Sequence, residues 1–338
     1  MKTMEYRRLG RSGLEVSVLC LGTMTFGDRT DAAEAQRIVD AAADAGVNFI
    51  DTADNYAKGA SERIVGAAIR ASRSRWILAT KVGNVLTARP FDGGLSRRWL
   101  LHECDASLAR LGTDYIDIYY LHREDADTPL AETVAALGDL VRSGRIRYFG
   151  LSNFRAWRIA EVVNECAAQG VPPPIVCEPY YNLLNRMPEV EVLPACDYYG
   201  LGVAPYSPLA RGVLTGKYAP GGAVPADSRV ALRDERMMET EFRPESLAIA
   251  QKLEAHARAT GRTLPQLALA WLWANELVTS VIAGPRTLAQ WQDYVAALGT
   301  DWSAEDEALV DSLVAPGHPS TPGYHDPRYP PAGRVTDL

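Results

Sequence analysis

The sequence has few cysteines, no excess of positive charge and no long hydrophobic run, and each absence excludes a class of protein. The 338-residue chain has five cysteines, an odd number without C-x-x-C spacing, which indicates neither a disulfide framework nor a zinc site. Its net charge of −7 disfavours a nucleic-acid surface. The longest apolar run, 267–274, is far shorter than the ~20 residues of a membrane span, and the polar first residues do not form a signal sequence. We therefore expect a cytoplasmic protein without nucleic-acid or membrane partners.

Several common catalytic motifs are also missing. There is no G-x-S-x-G elbow and no H-E-x-x-H helix. The segment 211–217 is similar to a phosphate loop, but only three residues separate its glycines, and Tyr218 stands where a hydroxyl residue would hold magnesium. The histidines other than His122 lack metal-ligand spacing, so we expect no bound metal.

Short β-prone runs alternate with amphipathic segments along the chain, and 47% of the residues are hydrophobic, which is enough for a large core. Strands are predicted at 17–21, 47–51, 76–81, 115–121, 146–151, 174–178, 201–205 and 279–283. Helices are predicted at 31–45, 60–71, 96–111, 130–143, 155–169 and 188–199. Eight such βα units predict an α/β fold, a closed (β/α)8 TIM barrel in a single domain spanning 1–338. A doubly wound sheet is disfavoured because no G-x-G-x-x-G follows the first strand.

Three additions to the barrel are predicted. Residues 6–9 and 14–16 have the pattern of an amino-terminal β-hairpin. A long loop at 218–239, followed by helices at 244–260 and 264–274, comes after the seventh strand. The tail, 316–338, is rich in proline, glycine and aromatics and is either frayed or a lid over the barrel rim. We favour a lid because a solvated tail rarely carries two tyrosines.

Three successive strands stay apolar until their last residues and then present Asp51, Lys81 and His122. The carboxyl ends of barrel strands meet at one rim, so these groups and the nearby Tyr56 are predicted to converge. A buried lysine needs a carboxylate, which Asp51 provides, and the ammonium is expected to lower the phenol pKa and make Tyr56 a better proton donor. His122 would add a second hydrogen-bond donor. Each residue alone has an ordinary structural explanation, as a capping Asp, a surface Lys, a core Tyr or a strand-end His. The occurrence of all four at successive strand ends favours an active site.

Later strand ends carry groups suited to a flat, anionic ligand. Ser152 and Asn153 suit an amide, although either also suits a helix N-cap. Tyr206 offers a ring for stacking at the end of the seventh strand. Gly284 followed by Arg286 and a helix makes an anion site.

These residues fall in motifs that resemble the aldo-keto reductase superfamily from about residue 7 to 297. Within it, the chain is most similar to the bacterial branch akin to potassium-channel β subunits. The motifs are LGTMTFG at 21–27, FIDTADNY at 49–56, ATK at 79–81, LH at 121–122, GLSN at 150–153, YNLLNR at 181–186 and YSPLARG at 206–212.

The resemblance implies a TIM barrel that binds NADPH, with NADH possible, and reduces a small-molecule aldehyde or ketone to an alcohol. It implies a catalytic tetrad of Asp51, Tyr56, Lys81 and His122, in which Tyr56 gives the proton and the nicotinamide C4 gives the hydride. On the cofactor side it implies contacts from Thr23, Met24, Asp51, Ser152, Asn153, Tyr206, Ser207, Pro208, Leu209, Ala210, Arg211, Lys217, Arg229, Gly284, Arg286 and Gln290. Homo-oligomers are compatible with it.

The chain departs from the family pattern at two places. Glu178 stands where the family usually has Gln, and Asp293-Tyr294 replaces a usual Glu-Asn pair near the adenine, so no role is assigned to these three residues. A cofactor-binding regulatory subunit with vestigial activity remains open. A metal-dependent barrel hydrolase is also open, although His122 alone fits its requirements.

Overall fold

The computed structural model describes residues 4–87, 89, 92–218, 222, 224–226 and 228–330. Within these ranges an antiparallel hairpin of β1 (Tyr6–Arg8) and β2 (Glu15–Ser17) precedes an eight-stranded parallel sheet. The sheet strands are β3 (Leu19–Gly22), β4 (Phe49–Asp51), β5 (Ile77–Val82), β6 (Ile116–Leu121), β7 (Ile146–Ser152), β8 (Val176–Glu178), β9 (Gly202–Val203) and β10 (Val281–Ala283). The predicted (β/α)8 TIM barrel and its hairpin are confirmed.

The sheet runs β10-β3-β4-β5-β6-β7-β8-β9 and closes on itself. At the closure, Thr279 N–H donates to the Val203 carbonyl at 2.8 Å and Ile282 N–H donates to the Pro205 carbonyl at 3.0 Å. Because neighbouring strands of this sheet run parallel, the carboxyl ends of all eight strands in the described part of the chain lie at one rim.

Helices pack around this barrel. In the described ranges they are α1 (Ala32–Asp44), α2 (Ala60–Ile69), α3 (Arg97–Leu111), α4 (Leu130–Arg142), α5 (Ala156–Gln169), α6 (Val192–Tyr199), α7 (Glu235–Thr240), α8 (Pro244–Ala259), α9 (Leu264–Ala274), α10 (Leu288–Ala296) and α11 (Ala304–Leu313). Side chains of Asp31, Ser96, Thr263, Thr287 and Ser303 cap helix N-termini by accepting from backbone N–H groups.

The hairpin covers the amino-terminal end of the barrel. Leu9 and Val16 are fully buried and pack with the residues that fill the barrel interior, among them Phe49 and Ile118. Gly10 has φ 58°, and a Cβ there would lie 2.5 Å from the Gly200 carbonyl oxygen. The turn therefore needs glycine for both its conformation and its close approach. With this end covered, access is left at the opposite rim.

Element boundaries differ from the predictions where backbone chemistry intervenes. β9 has two residues, not the five of 201–205, because Pro205 has no N–H to continue the ladder. The predicted helix at 188–199 divides into a 3₁₀ turn, Met187–Glu189, and α6. α7 lies at the end of the predicted loop 218–239, and α11 was not predicted at all.

Candidate active site

A cavity of about 570 Å³ opens at the carboxyl-terminal rim of the barrel. Residues from β3, β4, β7 and β8, and from the loops that follow most strands, line it. Among the predicted site residues, the lining includes Thr23, Met24, Asp51, Tyr56, His122, Ser152, Asn153, Tyr206, Ser207, Pro208, Leu209, Arg211, Lys217, Arg229, Gly284, Arg286 and Gln290. Lys81 and Ala210 are fully buried and do not line it; the methyl group of Ala210 packs into the core, and its cofactor contact stays a prediction.

Lys81 lies beneath the cavity with none of its side chain exposed. Its Nζ forms an ion pair with Asp51 and donates to the Thr52 carbonyl at 3.0 Å and to the Tyr56 hydroxyl at 3.4 Å. A second carboxylate oxygen, Glu178 Oε2, lies 3.5 Å from Nζ. These contacts raise the pKa of Lys81 well above its ordinary value, although burial alone would lower it, so the ammonium keeps its charge.

Tyr56 begins a short 3₁₀ turn, Tyr56–Gly59, in which Ala57 and Lys58 have φ of 47° and 55°. This left-handed backbone is costly for non-glycine residues. Burial raises the pKa of Tyr56 above its ordinary value, and the neighbouring Lys81 lowers it by less. The predicted lowering by Lys81 is therefore present, but desolvation outweighs it and the net shift of the Tyr56 pKa is upward. The phenol is protonated at neutral pH and available as a proton donor.

His122 stands beside Tyr56, with their ring centroids 6.0 Å apart and nearly perpendicular. Burial, followed by the charges of Lys81 and Arg123, holds the pKa of His122 well below its usual range. The ring is therefore neutral. Its Nδ1 lies 2.8 Å from Asn84 Nδ2, so Asn84 fixes the ring, and the protonated nitrogen is then Nε2.

Ser152, Asn153 and Tyr206 form a hydrogen-bonded group across the cavity. The Ser152 hydroxyl donates to the Glu178 carbonyl at 3.0 Å, and the Tyr206 hydroxyl donates to Asn153 Oδ1 at 2.8 Å. Neither Ser152 nor Asn153 caps a helix, because the residue at the N-cap of α5 is Arg155. The Tyr206 ring stacks on Tyr180 with centroids 5.7 Å apart. The alternative role as an N-cap is thus wrong, and a flat ligand is favoured.

A cationic arm extends from this group toward β10. Its residues in the cavity lining are Arg29, Arg211, Lys217, Arg229 and Arg286. Burial and the charges of Arg229 and Arg286 lower the pKa of Arg29, which shows that the three cations lie close together. Arg211 has φ 49° and, within the described residues, its buried Nε has no hydrogen-bond partner. Such a cluster is suited to an anion with several phosphates.

Several lining residues were not predicted. Arg29 lies in the loop after β3, Asn84 lies in the loop after β5, and Arg236 lies in the first turn of α7. Arg29 and Asn84 both follow strand carboxyl ends, so their position along the chain was a usable signal. Glu178, Asp293 and Tyr294, to which no role was assigned, also line the cavity.

The tail reaches the rim and contributes Arg328 and Tyr329 to the lining. Asp326 accepts from Arg236 Nη1 at 3.0 Å and from Nη2 at 2.5 Å, and Tyr324 lies under the Arg243 guanidinium at 3.7 Å. In the described part of the tail, to residue 330, these contacts hold the tail at the rim, and its action as a lid stays a prediction. Residues 331–338 of the predicted tail lie outside the described residues.

The described residues contain no group of three or more His, Cys, Asp or Glu side chains placed to hold a metal ion. Among the helices of this part of the chain, none has the length and apolarity needed to cross a bilayer.

Comparison with known proteins gives matches over most of the chain. A family model described as "Aldo/keto reductase family" matches residues 18–315. A "Probable voltage-gated potassium channel subunit beta" of Oryza sativa subsp. japonica is 43% identical over 289 residues, covering 83% of this chain and 87% of that protein. "L-glyceraldehyde 3-phosphate reductase" of Escherichia coli O157:H7 is 36% identical, with 93% of each chain covered. "Uncharacterized oxidoreductase YrpG" of Bacillus subtilis (strain 168) is 37% identical, covering 95% of this chain and 99% of that protein.

Proposed function

Because this chain belongs to the aldo/keto reductase family and is an oxidoreductase, we propose that it reduces an aldehyde or ketone to an alcohol with NADPH. The observation that carries the proposal is the contact of a buried, charged Lys81 with both Asp51 and the Tyr56 hydroxyl at the cavity wall. The proposal includes one domain over 1–338. It also includes a cytoplasmic location, supported by five cysteines that are all free and buried in the described residues.

The cavity lining suits a nicotinamide dinucleotide. Arg211 carries a buried Nε without a hydrogen-bond partner in the described residues, and an incoming phosphate oxygen would satisfy it. Arg29, Arg229 and Arg286 form the cluster that would hold the additional phosphate of NADPH. Ser152 and Asn153 would bind the carboxamide, and the ring of Tyr206 would stack on the nicotinamide.

When bound, the reduced nicotinamide supplies the hydride. Tyr56 donates its proton to the carbonyl oxygen, and Lys81 stabilises the phenolate that remains. Asp51 holds the ammonium in place. His122, neutral and fixed by Asn84, orients the carbonyl through its Nε2–H. Arg328 and Tyr329 of the tail line the cavity and would help to exclude water from the bound substrate.

A second candidate is a regulatory subunit that binds the cofactor but turns over slowly. The identity with the plant potassium-channel β subunit favours it. The two candidates differ in rate and not in cofactor binding, so a binding experiment alone does not separate them.

The test is NADPH oxidation with a panel of aldehydes and ketones, including L-glyceraldehyde 3-phosphate because a relative is named for reducing it. The reductase proposal predicts turnover well above about once per minute with at least one substrate, unchanged by a chelator. NADPH binding with slower turnover throughout would favour the regulatory subunit, and loss of activity in chelator would indicate a metal-dependent reaction.

A further inference from the structure

The floor of the cavity holds two carboxyl groups and one cation among the described residues. Asp51 and Glu178 both approach Lys81, and the three side chains are 2%, 3% and 0% exposed. If all three were ionised, the cluster would carry a net charge of −1 out of contact with water. An unbalanced buried charge is costly, so the cluster is expected to bind one proton.

Glu178 is the group that holds this proton. Asp51 forms the closer ion pair with Lys81, whereas Glu178 Oε2 lies 3.5 Å away and has no hydrogen-bond partner in the described part of the chain. Burial, followed by the charge of Asp51, raises the pKa of Glu178 well above its ordinary value, and Lys81 lowers it by less. Burial also raises the pKa of Asp51, and Lys81 opposes that rise through its charge and a hydrogen bond. Because Asp51 forms the closer ion pair, it stays ionised against the lysine and Glu178 is the neutral acid.

The other titratable groups that face Glu178 do not take over this role. They lie on β3, β6, β8 and the rim loops, and each has a pKa raised above its ordinary value by its surroundings. They are Cys20, Tyr56, Tyr120, Cys177 and Tyr206. All five are neutral at physiological pH, so the charge on the cavity floor is decided by Asp51, Lys81 and Glu178.

Glu178 lines the same cavity as Ser152, Asn153 and Tyr206. We propose that Glu178 is a positioning residue that keeps its proton beside a neutral ligand ring and releases it when the ring is positively charged. The inference rests on the proposed function, since an oxidised nicotinamide ring is a cation and a reduced one is neutral. Glu178 thereby makes the site discriminate between the two forms of the cofactor in a pH-dependent way.

The direction of the pH dependence follows from proton linkage. Glu178 loses a proton when the oxidised cofactor binds, so affinity for that form rises with pH until Glu178 is ionised in the free protein as well. The rise is at most about tenfold per pH unit for one proton. Affinity for the reduced form lacks this contribution. Titration of phosphates common to both forms cancels in the ratio of the two dissociation constants.

The experiment measures the dissociation constants of NADP⁺ and NADPH from about pH 6 to 9. It also measures the proton release on NADP⁺ binding, by calorimetry in two buffers of different ionisation enthalpy. It compares the wild-type protein with Glu178→Gln, which keeps the size and polarity but holds no titratable proton. Glu103→Gln is the matched control, because Glu103 is another buried carboxyl with a raised pKa that does not line the cavity.

For the wild type and Glu103→Gln we expect the ratio of the NADPH to the NADP⁺ dissociation constant to rise with pH, with release of up to about one proton on NADP⁺ binding below the midpoint. For Glu178→Gln the ratio should be flat and the extra proton release absent. A flat ratio in the wild type would overturn the proposal without any variant. The same slope in Glu178→Gln would also overturn it while leaving cofactor binding intact, whereas failure of the wild type to bind either form would overturn the proposed function as well.

Discussion

At the scale of single residues, the site depends on Lys81, whose side chain is fully buried by its neighbours. Lys81 keeps its charge because its ion pair with Asp51 offsets the loss of hydration. The same burial raises the pKa of Tyr56 and lowers that of His122. Desolvation thus sets a protonated phenol and a neutral imidazole side by side, which are the states that proton donation and carbonyl orientation require.

Replacing Lys81 by Met should destabilise the fold, since Asp51 would be left buried without its counter-ion. We expect a loss of about 3–5 kcal/mol in the free energy of unfolding at neutral pH. The loss should shrink toward about pH 5, because the carboxyl groups then bind protons in the folded state as their raised pKa allows. Chemical denaturation at both pH values measures it.

The double variant Asp51→Asn, Lys81→Met is the control for this prediction, because it removes both charges together. It should recover much of the lost stability, in the manner of a coupled pair. If the stability lost by the double variant equalled the sum of the losses of the two single variants, the ion pair would not account for the effect of either substitution.

At the scale of elements, the sequence predicted those features of the fold that local residue patterns determine. Asp51, Lys81 and His122 were located because each ends an apolar strand. α11 was missed although Ser303 and Asp306 form a capping box at its start. The shortness of β9 and the boundary of α6 depend on where hydrogen bonds stop, which periodicity does not encode. The position of Arg29 beside Arg229 depends on two loops about 200 residues apart meeting at the rim.

α7 and the tail are joined by the Arg236–Asp326 ion pair, and both contribute to the cavity lining. Asp326→Asn removes the charge of this pair, so the tail should open more often and admit water and proteases. We expect faster proteolytic cleavage after the α11 segment and a higher KM for the substrate. Each should change a few-fold, since the amide keeps the hydrogen bonds of the pair and loses only its charge, a difference of about 1 kcal/mol.

Asp139→Asn is the matched control for the tail variant, because Asp139 pairs with Arg142 on α4 away from the cavity. It should leave both cleavage and KM unchanged. Equal cleavage of the two variants would contradict the function of the Arg236–Asp326 pair as a latch.

At the scale of the whole molecule, charge is distributed unevenly. The chain carries a net charge of −7, yet one arm of the cavity is lined by Arg29, Arg229 and Arg286. A local positive potential in an acidic protein attracts a polyanionic ligand. The pattern after the last strand predicted Arg286, the resemblance predicted Arg229, and Arg29 is added by the fold.

Arg286→Ala should weaken NADPH binding about tenfold to a hundredfold, the range of a lost charge-assisted hydrogen bond. NADH lacks the additional phosphate, so its affinity should change less. Fluorescence titration of both cofactors measures the difference, with the exposed Arg142→Ala as control. Equal weakening for NADPH and NADH would contradict recognition of the additional phosphate by this arm.

In the proposed reaction the Tyr56 hydroxyl delivers the proton to the oxygen of the carbonyl group. Single-turnover reduction by Tyr56→Phe tests this role most directly, with NADPH affinity measured on the same preparation and the exposed Tyr198→Phe as control. We expect a rate lower by roughly 10²- to 10⁴-fold, NADPH affinity close to that of the wild type, and no change in the control. A Tyr56→Phe protein that reduced its substrate at the wild-type rate would contradict the role of Tyr56 as the proton donor.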